Sequence, residues 1–135
     1  MTNTTLGRDY IVRARKRLAA LDALFKEESW PDVVREAQEA VELALKGLLR
    51  LHRIEAPRVH DVSDLLHQHR DRFPTTLAKH IGRLSEVSRR LRRDRELAFY
   101  GSEDLTPTEF YREKDAVEAR RQARWVVDTV ERGLS

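Results

Sequence analysis

Apolar residues recur every three or four positions along most of this chain, the spacing that places them on one face of an α-helix. The first such stretch runs from Leu6 to about Lys26, and its apolar face consists of Tyr10, Ala14, Leu18, Leu21 and Phe25. A second helix is predicted from Ser29, a favourable N-cap, to about His52. The chain therefore opens with two long amphipathic helices.

The apolar residues of the second predicted helix form two adjacent faces. The large side chains are Val34, Val41, Leu45 and Leu48, and the small ones are Ala37, Ala40, Ala44 and Gly47. A face of small side chains allows another backbone to approach closely. We therefore predict that this helix is the most buried one.

A loop separates the second helix from the third predicted element. Pro57 biases Ala56 away from helical geometry, so residues 54–61 are predicted to be irregular. A short helix follows, from Val62 to about Arg70.

Two further long helices are predicted in the second half of the chain. The fourth starts at Thr75 or Thr76 and runs to about Phe99, with Gly101 as the glycine that follows its end. The fifth opens at Thr106 with the proline and glutamate of a capping box, and its apolar stripe is Ala116, Ala119, Ala123, Val126 or Val127, and Val130.

Strict alternation of apolar and polar residues, the mark of a strand, is absent from the sequence. The prediction is therefore an all-α fold, an up-and-down bundle of four long helices plus one short helix. A length of 135 residues suits one domain, so we expect a single helical bundle over residues 1–135.

The amino-acid composition excludes several kinds of functional site. The chain has no cysteine, which excludes disulfides, thiolate zinc sites and iron–sulfur clusters and favours a cytoplasmic location. No stretch approaches the roughly 20 apolar residues of a membrane span, so we expect no membrane partner. The net charge is only +3, but 21 of the 26 basic residues are arginine, the side chain best suited to phosphate and carboxylate.

Arg95 interrupts the apolar stripe of the fourth predicted helix. Steps of four and three along that helix give Leu77, Ile81, Leu84, Ser88, Leu91, Arg95 and Ala98. A guanidinium stays charged, so a core position is costly unless an anion pairs with it. One explanation is structural, an ion pair with Glu36, Glu39 or Glu42 or across a subunit interface. The other is a ligand anion at the mouth of the loop after this helix.

Tyr100 lies five residues after Arg95, a helical rotation of roughly 500°. The two residues do not share a face of a regular helix, so they would converge only if the last turn unwinds before Gly101. A cluster of five arginines on this helix forms either a positive stripe suited to a phosphate backbone or an ordinary solvated face: Arg89, Arg90, Arg92, Arg93 and Arg95.

Several segments of the chain, taken in order, resemble the HEPN domains, named for higher eukaryote and prokaryote nucleotide binding. They are the first helix with Tyr10, the run 34–49, the loop 56–61 leading into Leu65 and Leu66, the segment 94–101, and Tyr111 with Asp115 and Ala116. The resemblance implies a bundle of four or five helices that forms homodimers. It also implies a minimal nucleotidyltransferase as a partner, in a toxin–antitoxin pair.

Active HEPN ribonucleases carry the motif Arg-x(4 to 6)-His at the end of the helix that corresponds to the fourth one here. Two copies meet across the dimer and cut RNA without a metal ion. Arg95 matches the arginine and Glu96 the polar residue after it, but position 100 is tyrosine and no histidine follows His80. A phenol with a pKa near 10 is a poor proton shuttle at neutral pH. The resemblance therefore implies binding without strong ribonuclease activity.

No metal site or cofactor is predicted. His60 and Asp61 resemble the metal-binding pair of HD phosphohydrolases, but they lie in a loop after a proline and are expected to cap the short helix. His67 and His69 are two residues apart and point to different sides of a helix.

Three functional hypotheses follow. The leading one is a dimeric module that binds a nucleotide or RNA through Arg92, Asp94, Arg95, Glu96 and Tyr100, with Arg95 as the anion anchor and Tyr100 as a stacking or hydrogen-bonding group. The second is a metal-independent ribonuclease that uses Arg95 and Tyr100. The third is a purely structural interaction module.

Overall fold

The computed structural model describes residues 3–55, 62–101 and 105–134, and within them the side chains of all but residue 3 and residues 95–99. The helices are α1 (Asn3–Lys26), α2 (Trp30–Leu51), α3 (Val62–Gln68), α4 (Thr75–Ala78), α5 (Ile81–Tyr100), α6 (Pro107–Phe110) and α7 (Glu113–Arg132), with a single 3-10 turn at Arg70–Arg72. The described residues contain no strand. The predicted all-α class is confirmed.

The first long helix, α1, runs antiparallel to both α2 and α7. Arg17 of α1 lies 2.9 Å from Glu36 near the start of α2. Asp22, near the end of α1, lies 2.9 Å from Arg120 and from Arg124 on α7. Arg15, earlier in α1, bonds to Asp128 and Glu131 near the end of α7. These pairs connect opposite ends of the helices.

Contacts between α5 and α7 show that this pair is antiparallel too. The guanidinium carbon of Arg83, near the start of α5, lies 4.0 Å from the ring centre of Trp125 in α7. At the other end of α5, the main-chain carbonyl of Asp94 accepts a hydrogen bond from Tyr111, just before α7. The four long helices therefore form the predicted up-and-down bundle.

Helix α2 lies at the centre of the bundle, as its two apolar faces predict. Twelve of its 22 residues are buried, and it packs against α1, α5 and α7. Gly47 lies on its small-residue face, where a Cβ atom would stand 2.7 Å from the carbonyl oxygen of Gly7 in α1. Glycine at both positions lets the two backbones meet.

The fourth predicted helix is wrong as a continuous element, because the chain turns at Lys79 and His80 between α4 and α5. The N–H of His80 bonds to the carbonyl of Leu77, three residues back, at 2.9 Å. Leu77 lies against the end of α7, where a Cβ atom on Gly133 would overlap Leu77 Cδ1. Leu77 is 1% exposed, and its burial against α7 accounts for the break.

The fifth predicted helix is also wrong as a continuous element. Its capping box at Thr106 is confirmed, since the Thr106 Oγ1 accepts from the Glu109 N–H at 3.2 Å. However, Tyr111 is extended (φ −96°, ψ 127°) and α7 starts afresh after Arg112, whose N–H bonds to Asp115 Oδ2 at 2.9 Å. Tyr111 is only 4% exposed, so its burial accounts for the break.

Two predicted helix ends are confirmed in position. Gly101 follows α5 with a φ of +83°, and a Cβ atom there would lie 2.6 Å from the Leu105 carbonyl oxygen. Ser29 is the N-cap of α2, but its hydroxyl donates to Asp32 Oδ2 at 2.6 Å and does not accept from the backbone. Among the described residues, no helix is long and apolar enough to cross a membrane.

Candidate functional site

The core register that leads to Arg95 is confirmed along α5. Leu84, Ser88 and Leu91 are at most 8% exposed. Position 95 continues that stripe, and its main chain is helical. The side chains of Arg95 and Glu96 lie outside the described residues, so their role stays a prediction.

Two of the glutamates considered as partners of Arg95 have other partners in the structure. Glu36 bonds to Arg17 across the α1–α2 interface at 2.9 Å. Glu42 accepts from Gln38 Nε2 at 2.8 Å and lies 3.1 Å from Lys46 Nζ. Burial raises the pKa of Glu42, but the hydrogen bonds from Gln38 and Lys46 outweigh it, so that pKa lies below the ordinary value. The Glu42 carboxylate therefore remains charged at neutral pH.

The second half of α5 presents a surface of exposed arginines. Arg89, Arg90 and Arg93 line one shallow depression together with Glu86, and we call these three arginines the basic face. The side chain of Arg93 is 75% exposed, and its Nε lies 4.0 Å from Asp94 Oδ1, the outer limit of an ion pair. Such a pair leaves most of the arginine charge available to an anion.

Arg92, also exposed, lies apart from the basic face. Its charge lowers the pKa of Glu42 on α2, after the larger effects of burial and of the Gln38 and Lys46 contacts. Arg92 is thus directed toward the α2 side of the helix.

Tyr100 is the last residue of α5, and its side chain is 75% exposed. The helix continues through Tyr100 to Gly101, so the last turn does not unwind as the convergence of Tyr100 with Arg95 requires. Five residues at about 100° each leave positions 95 and 100 on different faces of one helix. Within one chain, their backbone positions do not bring the pair together.

Asp94 lies beside a small pocket between α5 and α7 that the sequence did not reveal. The Tyr111 hydroxyl donates to the Asp94 carbonyl at 3.0 Å, and Asp115 and Gln122 also line the pocket. Burial raises the pKa of the Asp94 carboxyl, against the opposing charges of Arg93 and Arg90. Burial and the nearby charges of Asp94 and Asp115 raise the pKa of Tyr111. One feature of the sequence could have indicated the new helix that starts after Tyr111. Asp115 lies three residues after Arg112, the spacing of a capping box at a helix start.

Exposed apolar side chains lie at the end of the bundle where α5 ends. Tyr100, Leu105 and Phe110 are 75%, 39% and 42% exposed. Gly101 lets the chain turn closely here, because a Cβ atom at this position would meet Leu105 and Pro107. We call these three side chains the apolar patch.

Metal-ligating side chains do not cluster within the described ranges, where no group of three or more His, Asp or Glu residues could hold an ion. His60 and Asp61 lie outside the described residues. His67 belongs to α3, and His69 lies beyond the end of that helix, before the 3-10 turn.

Comparisons with known proteins give the family. The model of the HEPN domain matches residues 8–133. The protein TT1696 from Thermus thermophilus is 24% identical, with a TM-score of 0.65 over 94% of this chain and 97% of that chain. The protein ST0689, described as an archaeal HEPN homologue, is 24% identical, with a TM-score of 0.67 over 96% of this chain and 98% of that chain. A search of curated proteins found no match.

The family match begins within α1 and extends through α7, so it includes the basic face and Tyr111. The solved structures support the same bundle along nearly their whole length. The chain belongs to the HEPN domain family.

Proposed function

We propose that this protein is a dimeric nucleotide- or RNA-binding module that acts in the cytoplasm with a minimal nucleotidyltransferase partner. The observation that carries the binding proposal is the basic face of α5, which leads along one helix toward exposed Tyr100. Membership of the HEPN family supports the same kind of function.

The basic face suits a phosphate backbone on electrostatic grounds. Arg89 and Arg93 are four residues apart, so they lie on one side of α5 at successive turns. Each arginine that neutralises a phosphate releases condensed counterions, which favours binding at low salt. Exposed arginines without a strong carboxylate partner can form these contacts at little desolvation cost.

Tyr100 supplies the aromatic element of the proposed site. Stacking of a base on an aromatic ring contributes about 1–3 kcal/mol and does not depend on base identity. We assign Arg95 as the anion anchor, with Arg92, Asp94 and Glu96 beside it. The regular helix through Tyr100 favours binding over cleavage, because it separates Arg95 from the phenol that would replace the motif histidine.

Binding of a short single-stranded oligoadenylate at several salt concentrations tests the role of the basic face. We expect the Arg89→Gln/Arg93→Gln double variant to bind more weakly. Its logarithmic salt dependence should be shallower by about 0.7 for each phosphate that the variant no longer neutralises. Arg8→Gln, which removes an exposed arginine of α1, is the control and should bind like the wild type. An unchanged salt dependence in the double variant would exclude the basic face.

Titration of nucleotides and the same RNA into the Arg95→Ala variant tests the anchor. We expect weaker binding with the helical content unchanged in circular dichroism. Equal affinity in the variant and the wild type, with the fold intact, would remove Arg95 from the site.

The apolar patch supports the proposed homodimer, since exposed aromatic side chains are enriched at interfaces. Sedimentation velocity should show a dimer for the wild type and a monomer for Leu105→Ser/Phe110→Ser, which leaves Tyr100 in place. Val12→Ser removes another exposed apolar side chain, on α1, and should leave the dimer intact. A monomeric wild type at micromolar concentration would contradict the dimer proposal.

Co-expression tests the partner. We expect a stable complex with a minimal nucleotidyltransferase encoded beside this chain, resolved as one species in size-exclusion chromatography. Separate elution of the two purified proteins would contradict that pairing.

A further inference from the structure

A second positively charged cavity lies at the other end of α5, away from the basic face. It has a volume of about 460 Å³ and is lined by Thr76, Lys79, His80, Thr129, Arg132 and Gly133. This volume falls in the range of roughly 300–1,000 Å³ that small-molecule pockets occupy. The 20 residues of α5 span about 30 Å, so this cavity and Tyr100 are at opposite ends of the bundle.

Three elements build the cavity. Helix α4 contributes Thr76, and the turn that breaks the helix contributes Lys79 and His80. The end of α7 contributes Thr129 and Arg132. The contact of Gly133 with Leu77 joins α4 to α7 and so holds the two sides of the cavity together. The break between α4 and α5 therefore places Lys79 and His80 in the lining of the cavity.

Thr129, one of the residues that line this cavity, carries an unsatisfied polar group. The residue is only 4% exposed, and its Oγ1 has no hydrogen-bond partner among the described residues. A buried hydroxyl without a partner destabilises the fold, so a ligand atom that bonds to it recovers free energy. A hydroxyl group can donate to an anion oxygen.

The charges of the cavity favour an anion. Lys79 and Arg132 are exposed, and neither has a carboxylate within 4.0 Å in the part of the chain that the structure describes. Glu131, the acidic neighbour of Arg132, bonds to Arg15 on α1. The end of α7 carries a partial charge of about −0.5, smaller than the two full positive charges. Its Thr129 and Glu131 carbonyls also accept from Gly133 and Leu134.

We propose that this cavity binds a phosphate group, with Lys79 and Arg132 as the charged donors and the hydroxyls of Thr76 and Thr129 completing its hydrogen bonds. A phosphate offers several acceptor oxygens to this mixed set of donors, whereas a chloride ion offers a single centre. The site is independent of the RNA site proposed above, because it lies at the other end of α5 and uses none of its residues.

Trp125 provides a reporter for this site. Its ring centre lies 5.7 Å from that of His80, which lines the cavity. The chain has two tryptophans, so Trp30→Phe leaves Trp125 as the single emitter. In that background we expect inorganic phosphate and AMP to change the fluorescence saturably, while sodium chloride at equal ionic strength and adenosine do not. Calorimetry on the wild type gives a second, label-free affinity.

The Lys79→Gln/Arg132→Gln variant is the decisive comparison. Loss of two charged hydrogen bonds should weaken phosphate binding by about tenfold or more. Arg8→Gln/Lys16→Gln removes the same charge from exposed positions on α1 and should bind like the wild type. Equal affinity in the two double variants, or no saturable phosphate binding by either method, would overturn the proposal.

Comparison of the two ligands identifies the source of the phosphate. An affinity for AMP similar to that for inorganic phosphate indicates a site for free phosphate. A clearly tighter affinity for AMP indicates that the cavity also holds the nucleoside. Both outcomes support the phosphate site. The affinities for phosphate and AMP should be unchanged in the Arg95→Ala variant, even if that variant no longer binds RNA.

Discussion

The hydroxyl of Tyr111 donates a 3.0 Å hydrogen bond to the main-chain carbonyl of Asp94, and so ties the α6–α7 junction to the turn of α5 that precedes Arg95. Tyr111 is 4% exposed, although it lies in an extended segment between two helices. This contact connects the position of the proposed anion anchor to the packing of α7.

Tyr111→Phe should therefore lower the free energy of unfolding by about 0.5–1.5 kcal/mol, the usual net value of one hydrogen bond. Urea denaturation monitored by circular dichroism measures it. Tyr10→Phe is the matched control, because the Tyr10 hydroxyl has no hydrogen bond among the described residues and its ring contacts with Arg13 and Arg50 survive. An equal effect of the two substitutions would contradict the role of the Tyr111 bond.

Asp94→Asn should raise the free energy of unfolding at pH 7. Burial raises the pKa of the Asp94 carboxyl, so the folded state binds its proton more tightly than the unfolded state. The stabilisation by this group is complete below the unfolded pKa of about 4 and is lost as the pH rises through the folded pKa. An asparagine side chain does not ionise, so the variant keeps the stability that the wild type loses as the pH rises. Urea titrations at several pH values should show the difference between the proteins shrinking toward low pH, and a less stable variant at pH 7 would contradict this prediction.

Gly47→Ala should destabilise the fold, and Gly82→Ala should stabilise it. Alanine is the better helix former, by about 1 kcal/mol in a helix interior such as position 47 and by less in the first turn of α5, where Gly82 lies. A Cβ atom at Gly82 meets nothing within 4 Å, whereas one at Gly47 stands 2.7 Å from the Gly7 carbonyl oxygen. Overpacking of this kind costs about 1–3 kcal/mol, which exceeds the gain in helix propensity. Thermal unfolding of the two variants should give midpoints on opposite sides of the wild type.

Arg53→Gly should stabilise the protein. Arg53 follows α2 with a φ of 58°, a left-handed conformation that costs a residue with a Cβ about 1–2 kcal/mol. Glycine also makes the unfolded chain more flexible, at a cost of about 0.4–1 kcal/mol, so the net gain lies between about 0 and 1.6 kcal/mol. Arg50→Gly, in the last turn of α2, should instead destabilise. A lower unfolding midpoint for Arg53→Gly would show that its side chain contributes more than the backbone strain costs.

The sequence predicted the long helices well because their apolar faces repeat with the helical period. The ends at Ser29 and Gly101 were also predictable, since N-cap and C-terminal positions impose local chemistry on the residue that occupies them. The breaks at His80 and at Tyr111 were not predictable in this way. Each results from a contact with a residue distant in sequence, Leu77 with Gly133 in the first case and Tyr111 with Asp94 in the second.

The candidate site was predictable in part. Periodicity placed Arg95 in the core register, and the buried residues Leu84 and Leu91 confirm that register up to the turn before it. The sequence did not show that Arg92 lies apart from the basic face, or that the Tyr111 hydroxyl bonds to the Asp94 carbonyl. Those relationships depend on how α5 packs against α2 and α7.

The helical period of the apolar residues was enough to predict an all-helical chain with a small-residue face on α2 and an arginine in the register of core positions. Periodicity and end-capping are local properties, so they could be inferred without knowing the packing. The packing of the helices established where α4 separates from α5 and where α6 separates from α7. It also decided that Lys79, Thr129 and Arg132 share one cavity, because seating Leu77 against Gly133 brings residues distant in sequence to the same surface.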